Sequence, residues 1–203
     1  MRKLLFSLAA LTLIVGCSSS RADDQPGSAT TIGHAAPSFT LPDQNGKNVS
    51  LSDYSGKVIV LEWFNAGCPF VQKHYNGQHM NQLAKKYTDK GVVWLAINST
   101  DGTSNASNAK IAEQWKISRP ILHDGDMKVA AAYGAKTTPH MFIIDKTGKL
   151  VYAGAIDDDA SDDASKVAGA KNYVAQALDQ VLAGQAVTES ETKSYGCSVK
   201  YKQ

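Results

Sequence analysis

The chain has 203 residues, of which 43% are hydrophobic and 20% are charged, the composition of an ordinary globular domain with some additional sequence. Its formal net charge is +2 and its basic residues form no stripe, which argues against a nucleic-acid partner. After the first 17 residues, no apolar run approaches the length of a membrane-spanning helix.

The first 17 residues have the pattern of a secretion signal. Arg2 and Lys3 precede an apolar run of 12 residues, 4–15, which is too short to cross a hydrocarbon core of about 30 Å as a helix. The sequence LIVGC resembles the lipobox of bacterial lipoproteins, in which the cysteine becomes the acylated N-terminus. This resemblance implies a lipoprotein signal peptide at 1–16 and lipidation of Cys17. The alternative is an ordinary signal peptide that has a cysteine at this position by chance.

The segment that follows the signal is small and polar, and we expect a flexible, lipidated tether at 17–32. The folded domain is predicted at 33–184, and a C-terminal tail without apolar periodicity at 185–203. Such a lipoprotein is expected in the cell envelope, anchored to the membrane by lipid and facing the periplasm or the extracytoplasmic side. Disulfides persist there, so Cys68 and Cys197, the two cysteines that remain, are candidates for thiol chemistry.

Within the domain, strand patterns alternate with helix patterns. The predicted elements, in chain order, are a hairpin over 36–57, a strand at 58–64, a helix at 69–87, a strand at 92–98, helices at 109–115 and 127–133, a hairpin of strands at 140–145 and 150–156, and a helix at 170–182. The first hairpin turns at Asn45-Gly46. This order predicts an α/β sandwich with an N-terminal β-hairpin.

An acidic segment, DDDASDD at 157–163, follows the last predicted strand. Its spacing lacks the glycine and the distal glutamate of the common calcium loop. We therefore predict a solvated acidic loop here and not a calcium site.

Cys68 stands between a predicted buried strand and a proline that is suited to the first position of a helix. This places Cys68 at or next to the helix N-cap, where unpaired backbone N–H groups and the helix dipole favour the thiolate over the thiol. Lys73, about a turn and a half further on, adds positive charge if it does not simply face solvent. The alternative is a buried structural cysteine without reactivity.

Three stretches carry a resemblance to the thioredoxin-like superfamily. TTPHMFIID resembles the segment in which a cis-proline lies against the reactive cysteine, and APSFTLPDQNGKNVSLSDYSGK resembles the N-terminal signature of its redoxin branch, the alkyl hydroperoxide reductase and thiol-specific antioxidant proteins. CPFVQKHY, together with GCSVKY in the tail, resembles a peroxiredoxin-like subfamily. The resemblance implies a thioredoxin-like sandwich with a central mixed β-sheet flanked by helices. It also implies a cis Thr138-Pro139 bond, with the backbone of Thr138 pairing with an incoming substrate strand.

The subfamily pattern implies that Cys68 is a nucleophile and that Cys197 resolves the product it forms. About twelve extended residues reach roughly 40 Å, so the tail is long enough to return to the helix N-terminus, or to reach another subunit. Two alternatives remain open: a permanent Cys68–Cys197 disulfide that fastens the tail, and an unpaired Cys197.

The chain departs from the patterns of both peroxiredoxins and thioredoxins. Peroxiredoxins carry Thr or Ser three positions before the reactive cysteine, Pro seven before, and an Arg near the later strand. Here the first two positions hold Asn65 and Leu61, and Thr137-Thr138-Pro139 stands where the Arg would fall. Asn65 can donate a hydrogen bond to substrate, but this pattern lacks the cation that stabilises developing charge, so peroxide reduction is expected to be slow. The second thioredoxin cysteine is replaced by Val71.

The leading hypothesis is therefore a thiol-disulfide oxidoreductase that acts on protein or small-molecule disulfides, or on peroxides, and is returned to its reduced form by an external thiol reductant. It needs no cofactor, because the reacting atoms are sulfurs. A second hypothesis is a copper-binding or chaperone-like protein that uses Cys68, Cys197 and His140 for a soft ion such as Cu(I). His140 is otherwise expected to be a polar surface residue, and Trp63 and Phe64 to be core or pocket wall. A third hypothesis is a structural lipoprotein that has lost activity.

Overall fold

A computed structural model of the protein describes residues 30–201. The strands are β1 (Thr40–Pro42), β2 (Asn48–Ser50), β3 (Ile59–Trp63), β4 (Val93–Asn98), β5 (Ile121–His123), β6 (Thr137–Thr138), β7 (His140–Ile144), β8 (Leu150–Gly154) and β9 (Cys197–Ser198). The helices are α1 (Pro69–Asn76), α2 (His79–Thr88), α3 (Asn105–Trp115), α4 (Lys128–Tyr133) and α5 (Tyr173–Leu182), with 3-10 turns at Leu51–Tyr54 and Ala164–Gly169. The predicted signal peptide at 1–16, the lipidation site Cys17 and the tether as far as residue 29 lie outside the described residues.

A five-stranded sheet in the order β5-β4-β3-β7-β8 forms the centre of the domain. Strands β3, β4 and β5 run parallel, whereas β7 pairs antiparallel with both β3 and β8. The central strands are buried on both faces, as their continuous apolar runs predict. Helices α1, α2, α3 and α5 cover one face, while α4 and the β1–β2 hairpin cover the other. The predicted α/β sandwich, its central mixed sheet and its N-terminal hairpin are confirmed.

The predicted helix at 69–87 is wrong in one respect, because it is interrupted after Asn76. Gln78 adopts a left-handed conformation (φ 59°), which a continuous right-handed helix does not contain. Both halves keep the same apolar face, which is why the periodicity alone suggested a single helix. Strand β5 was not predicted, since three residues, two of them buried, are too few to form a pattern. In the part of the chain that the structure describes, no helix is long and apolar enough to span a bilayer.

The C-terminal tail packs on the domain despite its lack of apolar periodicity. After α5 it crosses the edge of β8, where Ala153 exchanges backbone hydrogen bonds with Ser190 and Thr192. Gly154 is needed at this crossing, because a Cβ atom there would lie 2.1 Å from Thr192 Oγ1. The tail then continues to the end of the sheet at which Cys68 lies.

A buried ionic network lies under the helices on the first face. Glu62, on the central strand β3, is 0% exposed, and it accepts hydrogen bonds from Tyr75 (2.6 Å), Trp94 (2.9 Å) and Arg119 (3.1 Å). Arg119 also donates to Asn81 at 3.0 Å, so the network joins two strands to α1 and α2. Removing one partner of a buried pair leaves an uncompensated buried charge, which is more costly than the loss of the bond itself.

We expect Arg119→Met to lower the free energy of unfolding by about 3–5 kcal/mol, because it leaves the Glu62 carboxylate buried without its counter-ion. Urea denaturation of the purified protein measures this change. The matched control is Lys85→Met, which removes an ion pair whose side chains, Lys85 and Asp89, are 75% and 61% exposed. That variant should change stability by less than about 0.5 kcal/mol. Equal effects of the two substitutions would contradict this account of the network.

Candidate active site

Cys68 is the N-cap residue of α1, and Pro69 takes the first helical position, as the sequence predicts. The Cys68 carbonyl oxygen accepts the backbone N–H groups of Val71 (3.0 Å) and Gln72 (2.9 Å), which closes the first turn. The residue is 1% exposed. The short turn between β3 and α1 therefore brings a single thiol to the positive end of a helix, and that thiol is buried.

Thr138-Pro139 faces this thiol across the site, and the bond between the two residues is cis, as the resemblance implied. In its neutral form Cys68 donates its Sγ–H to the carbonyl oxygen of Thr138 at 3.0 Å. The Thr138 hydroxyl is buried and has no other partner within residues 30–201, and its hydrogen bond to the Cys68 sulfur is one of the causes that lower the Cys68 pKa. Thr138 thus contacts Cys68 through its backbone carbonyl group and also offers its hydroxyl as a hydrogen-bond donor.

The tail reaches the same point through a short antiparallel pairing of β6 with β9, in which Thr138 lies opposite Cys197 and Thr137 opposite Ser198. Gly196 makes this approach possible. Its φ is +116°, and a Cβ atom added to it would lie 2.1 Å from the Thr138 carbonyl oxygen. Both cysteines are free thiols and both lie against Thr138 of their own chain.

The two thiols have opposite acidities. Burial raises the pKa of Cys68, but hydrogen bonds with Cys197 and Thr138, followed by backbone bonds from Cys197 and Val71, outweigh it and lower the pKa below that of an ordinary cysteine. Burial, together with the hydrogen bond to Cys68 and its charge, raises the pKa of Cys197 to about 11. Cys68 is the thiol that ionises first.

A cleft of about 430 Å³ opens beside the pair. Its wall includes Trp63, Phe64, Asn65, Thr138, Cys197 and Lys200. Trp63 and Phe64 are each 0% exposed, so they are both core and pocket wall, as predicted. The Asn65 Oδ1 atom accepts a hydrogen bond from the backbone N–H of Gly67 (2.8 Å), which stabilises the turn before Cys68. The Asn65 side-chain NH₂ group takes no part in this bond. The sequence pattern did not locate Lys200, a basic side chain that the tail brings to this cleft.

Three sequence expectations at this site are corrected by the structure. Lys73 neither faces solvent nor acts on Cys68, because its side chain is 0% exposed and donates to the carbonyl oxygens of Asp159 (2.6 Å) and Ser161 (2.7 Å). The acidic loop is not fully solvated, since Asp157 is 1% exposed. His140 is not on the surface: its Nδ1 accepts the backbone N–H of Lys136 at 3.1 Å, and burial followed by the charge of Lys136 lowers its pKa to about 4.

The metal hypothesis gains no support from this arrangement. Among residues 30–201, no group of three or more His, Cys, Asp or Glu side chains is placed to hold a metal ion. The His140 ring instead packs against Phe142, with a centroid distance of 4.4 Å. The structure therefore brings Cys68, Thr138, Pro139 and Cys197 together and places Asn65 at their edge, but leaves His140 in a separate, structural role.

Comparison with known proteins gives a consistent result. Residues 32–153 match the AhpC/TSA family. The chain is 34% identical over 122 residues to the thiol-disulfide oxidoreductase ResA of Geobacillus thermodenitrificans, an alignment that covers 60% of this chain and 68% of that protein.

Among solved structures, an uncharacterised conserved protein from Geobacillus kaustophilus superposes with a TM-score of 0.76 at 32% identity, covering 87% of this chain and 95% of that one. Peroxidoxin BcpB from Mycobacterium tuberculosis superposes with a TM-score of 0.52 at 27% identity, covering 60% and 83%. The protein is therefore a thioredoxin-fold member of the AhpC/TSA family and a thiol oxidoreductase.

Proposed function

We propose that this protein is a thiol-disulfide oxidoreductase in which Cys68 is the nucleophile and Cys197 of the same chain is the resolving cysteine. The observation that carries the proposal is the register of β6 with β9, which sets Cys197 opposite Thr138 while Thr138 contacts the Cys68 sulfur. The lowered pKa of Cys68 and the raised pKa of Cys197 support the same assignment of roles.

The reaction proceeds in two thiol exchanges. The Cys68 thiolate attacks one sulfur of a substrate disulfide, forming a mixed disulfide and expelling the other sulfur as a thiolate that takes up a proton. The Cys197 thiol then loses its proton and attacks the Cys68 sulfur. A Cys68–Cys197 disulfide forms and the second substrate thiol leaves. The substrate disulfide has gained two electrons from the protein, and an external thiol reductant supplies two further electrons that reduce the Cys68–Cys197 disulfide to two thiols.

Thr138, Pro139 and Asn65 are proposed to shape the substrate groove. The backbone of Thr138 is paired with β9 of the tail. A substrate strand can therefore pair with Thr138 only after the tail has moved away. A peroxide is the second substrate class: attack of Cys68 on its oxygen breaks the O–O bond and leaves a sulfenic acid, which Cys197 converts to the disulfide with release of water. Disulfides are favoured, because Thr137-Thr138-Pro139 stands where the peroxiredoxin pattern has its Arg.

Location and partners follow from the N-terminal pattern and the chemistry. We infer a lipid-anchored protein of the cell envelope that faces the periplasm or the extracytoplasmic side, where protein disulfides are available as substrates. Its partners are the disulfide or peroxide substrate, a thiol reductant and the membrane that holds the anchor.

Replacing Cys68 and replacing Cys197 should each block a different step of the reaction. In a full chain carrying Cys17→Ser, one equivalent of a small disulfide should give a Cys68–Cys197 crosslink that dithiothreitol reverses, detected by intact-mass spectrometry. We expect Cys197→Ser to stop at the mixed disulfide on Cys68, and Cys68→Ser to form neither product. Ser198→Ala, at the exposed neighbouring position, is the matched control and should behave as the parent. A parent chain that forms no reversible crosslink, or a Cys197→Ser variant that forms no mixed disulfide on Cys68, would refute the assignment. The same assay with hydrogen peroxide compares the two substrate classes.

The acidity of Cys68 should depend on the donor at position 197. The Cys68 thiolate forms as pH rises through a pKa below the ordinary cysteine value, because the Cys197 thiol donates to it while burial opposes it. We expect Cys197→Ala to raise this pKa by removing the donor, and Cys197→Ser to raise it less, since its hydroxyl still donates. Thiolate ultraviolet absorbance as a function of pH, again with Cys17→Ser, measures the midpoints. Identical midpoints in the Ala and Ser variants would contradict the hydrogen-bond explanation.

Membrane attachment should require Cys17. Expressed in a bacterial host, the parent chain is expected in the membrane fraction with a lipid-modified N-terminal cysteine, and Cys17→Ser in the soluble fraction or retained with its signal uncleaved. Fractionation and N-terminal mass analysis test this. Cys197→Ser serves as the control for loss of a cysteine as such, and attachment that persists without Cys17 would rule out the lipid anchor.

A further inference from the structure

Tyr195 lies two residues before Cys197 and is the last large side chain of the tail before the site. It is half-buried, and its hydroxyl donates to Asp157 Oδ1 at 2.5 Å. The His74 Nε2 atom lies 3.2 Å from the same hydroxyl. Because the single hydroxyl hydrogen goes to Asp157, the His74 Nε2–H is the donor in the second bond.

The ring of Tyr195 contacts α1, the helix that begins at Cys68. Its centroid is 6.1 Å from that of Phe70, and the Lys73 Nζ atom lies 4.8 Å from it, over the ring face. Tyr195 thus joins the tail to the helix whose N-terminus holds the candidate nucleophile. We call its four partners, Phe70, Lys73, His74 and Asp157, the tail clamp.

The tail clamp is held independently of the tail. Lys73, with a fully buried side chain, donates to the carbonyl oxygens of Asp159 and Ser161, which fastens the acidic loop to α1. Asp157 and His74 are each 1% exposed. Their carboxylate and imidazole atoms lie 3.9 Å apart, but burial, with the charges of Lys73 and His79, lowers the pKa of His74 to about 3, so they form no ion pair near neutral pH. A buried carboxylate, a neutral imidazole and an ammonium group are therefore arranged around one tyrosine.

We propose that Tyr195 is a positioning residue for the resolving step: seated in the tail clamp, it sets Cys197 against Cys68 through the single intervening Gly196. This inference rests on the proposed function. Gly196 has φ +116° and its backbone lies against that of Thr138, so Cys197 stays close to Thr138 as long as Tyr195 occupies the tail clamp. Misplacing a reacting group by about 1 Å can cost on the order of 100-fold in rate.

The test uses one equivalent of Ellman's reagent, an aromatic disulfide, with the full chain carrying Cys17→Ser. The Cys68 thiolate attacks one reagent sulfur and expels the first coloured thiolate. Cys197 then attacks the Cys68 sulfur of the mixed disulfide and expels the second. At this stoichiometry, the first phase of colour release reports attack by Cys68, and the second reports resolution by Cys197.

The assay is run above the Cys68 pKa of both proteins, because a displaced Cys197 also ceases to lower that pKa. At such a pH we expect Tyr195→Ala to slow the second phase about tenfold or more without slowing the first. Tyr195→Phe keeps the ring contacts and loses the hydroxyl bonds, so its second phase should lie between those of Tyr195→Ala and the parent. The control is Tyr87→Phe, which removes a tyrosine hydroxyl that donates to the Ala175 carbonyl oxygen (2.9 Å) between α2 and α5; both of its phases should equal those of the parent. A merely structural role for Tyr195 would not separate the two phases.

A second phase in Tyr195→Ala that is as fast as in the parent would overturn the inference and leave the proposed function intact. If the parent itself releases only one equivalent of colour, the proposed function fails, and the two failures are thus distinguishable. If Tyr195→Ala loses the circular dichroism spectrum of the native fold, Asp157→Asn replaces it in the test. This substitution weakens the hydrogen-bond acceptor of the Tyr195 hydroxyl and leaves the sequence of the tail unchanged. It should likewise slow the second phase alone, and a parent-like second phase would overturn the inference.

Discussion

The candidate site depends on the pairing of two residues of the tail with the two residues of β6, just before the cis-proline. Thr138 takes part on both sides, because its carbonyl oxygen accepts the Cys68 thiol and its backbone lies opposite Cys197. A ladder this short contributes little stability by itself. The tail is held instead by contacts before the pairing: Thr192 against the edge of β8, and Tyr195 against α1 and the acidic loop. A weak pairing supported by neighbouring contacts suits the resolving role proposed for Cys197, in which it approaches Cys68 and later separates from it.

The opposite acidities of the two thiols give the proposed reaction an order. A low pKa makes Cys68 the first thiolate, while Cys197 keeps its proton under the combined influence of burial, the hydrogen bond to Cys68 and the negative charge of Cys68. Once Cys68 is held in a mixed disulfide, that charge and that hydrogen bond are gone, and two of the three causes that raise the pKa of Cys197 disappear with them. In the proposed reaction, completion of the first step thus lowers the pKa of Cys197 and activates it for the second step.

Several differences between expectation and structure share one cause, which is that side chains distant in sequence meet in the fold. For Lys73 the sequence predicts either added positive charge near Cys68 or a solvent-facing side chain, because its own helix does not indicate that the loop at 157–163 folds over it. His140 follows the cis-proline and is a candidate metal ligand on sequence grounds. In the structure its ring accepts a hydrogen bond from the Lys136 backbone N–H and packs against Phe142. Glu62 lies within an apolar strand, and its counter-ion Arg119 is 57 positions away in the sequence, so the local pattern does not reveal the pair. Local patterns carry no information on such partners.

The sequence by itself determined the α/β order, the buried central strands, the N-terminal hairpin and the position of Cys68 ahead of Pro69 at the start of a helix. All of these follow from periodicity and capping, which act over a few residues. Tertiary structure alone decided that the tail returns to its own chain, that Gly196 permits its backbone to lie against Thr138, and that Tyr195 is held by α1 and the acidic loop. These contacts join residues about 40 to 120 positions apart, and they are set by packing, in which a side chain's partner depends on the whole path of the chain.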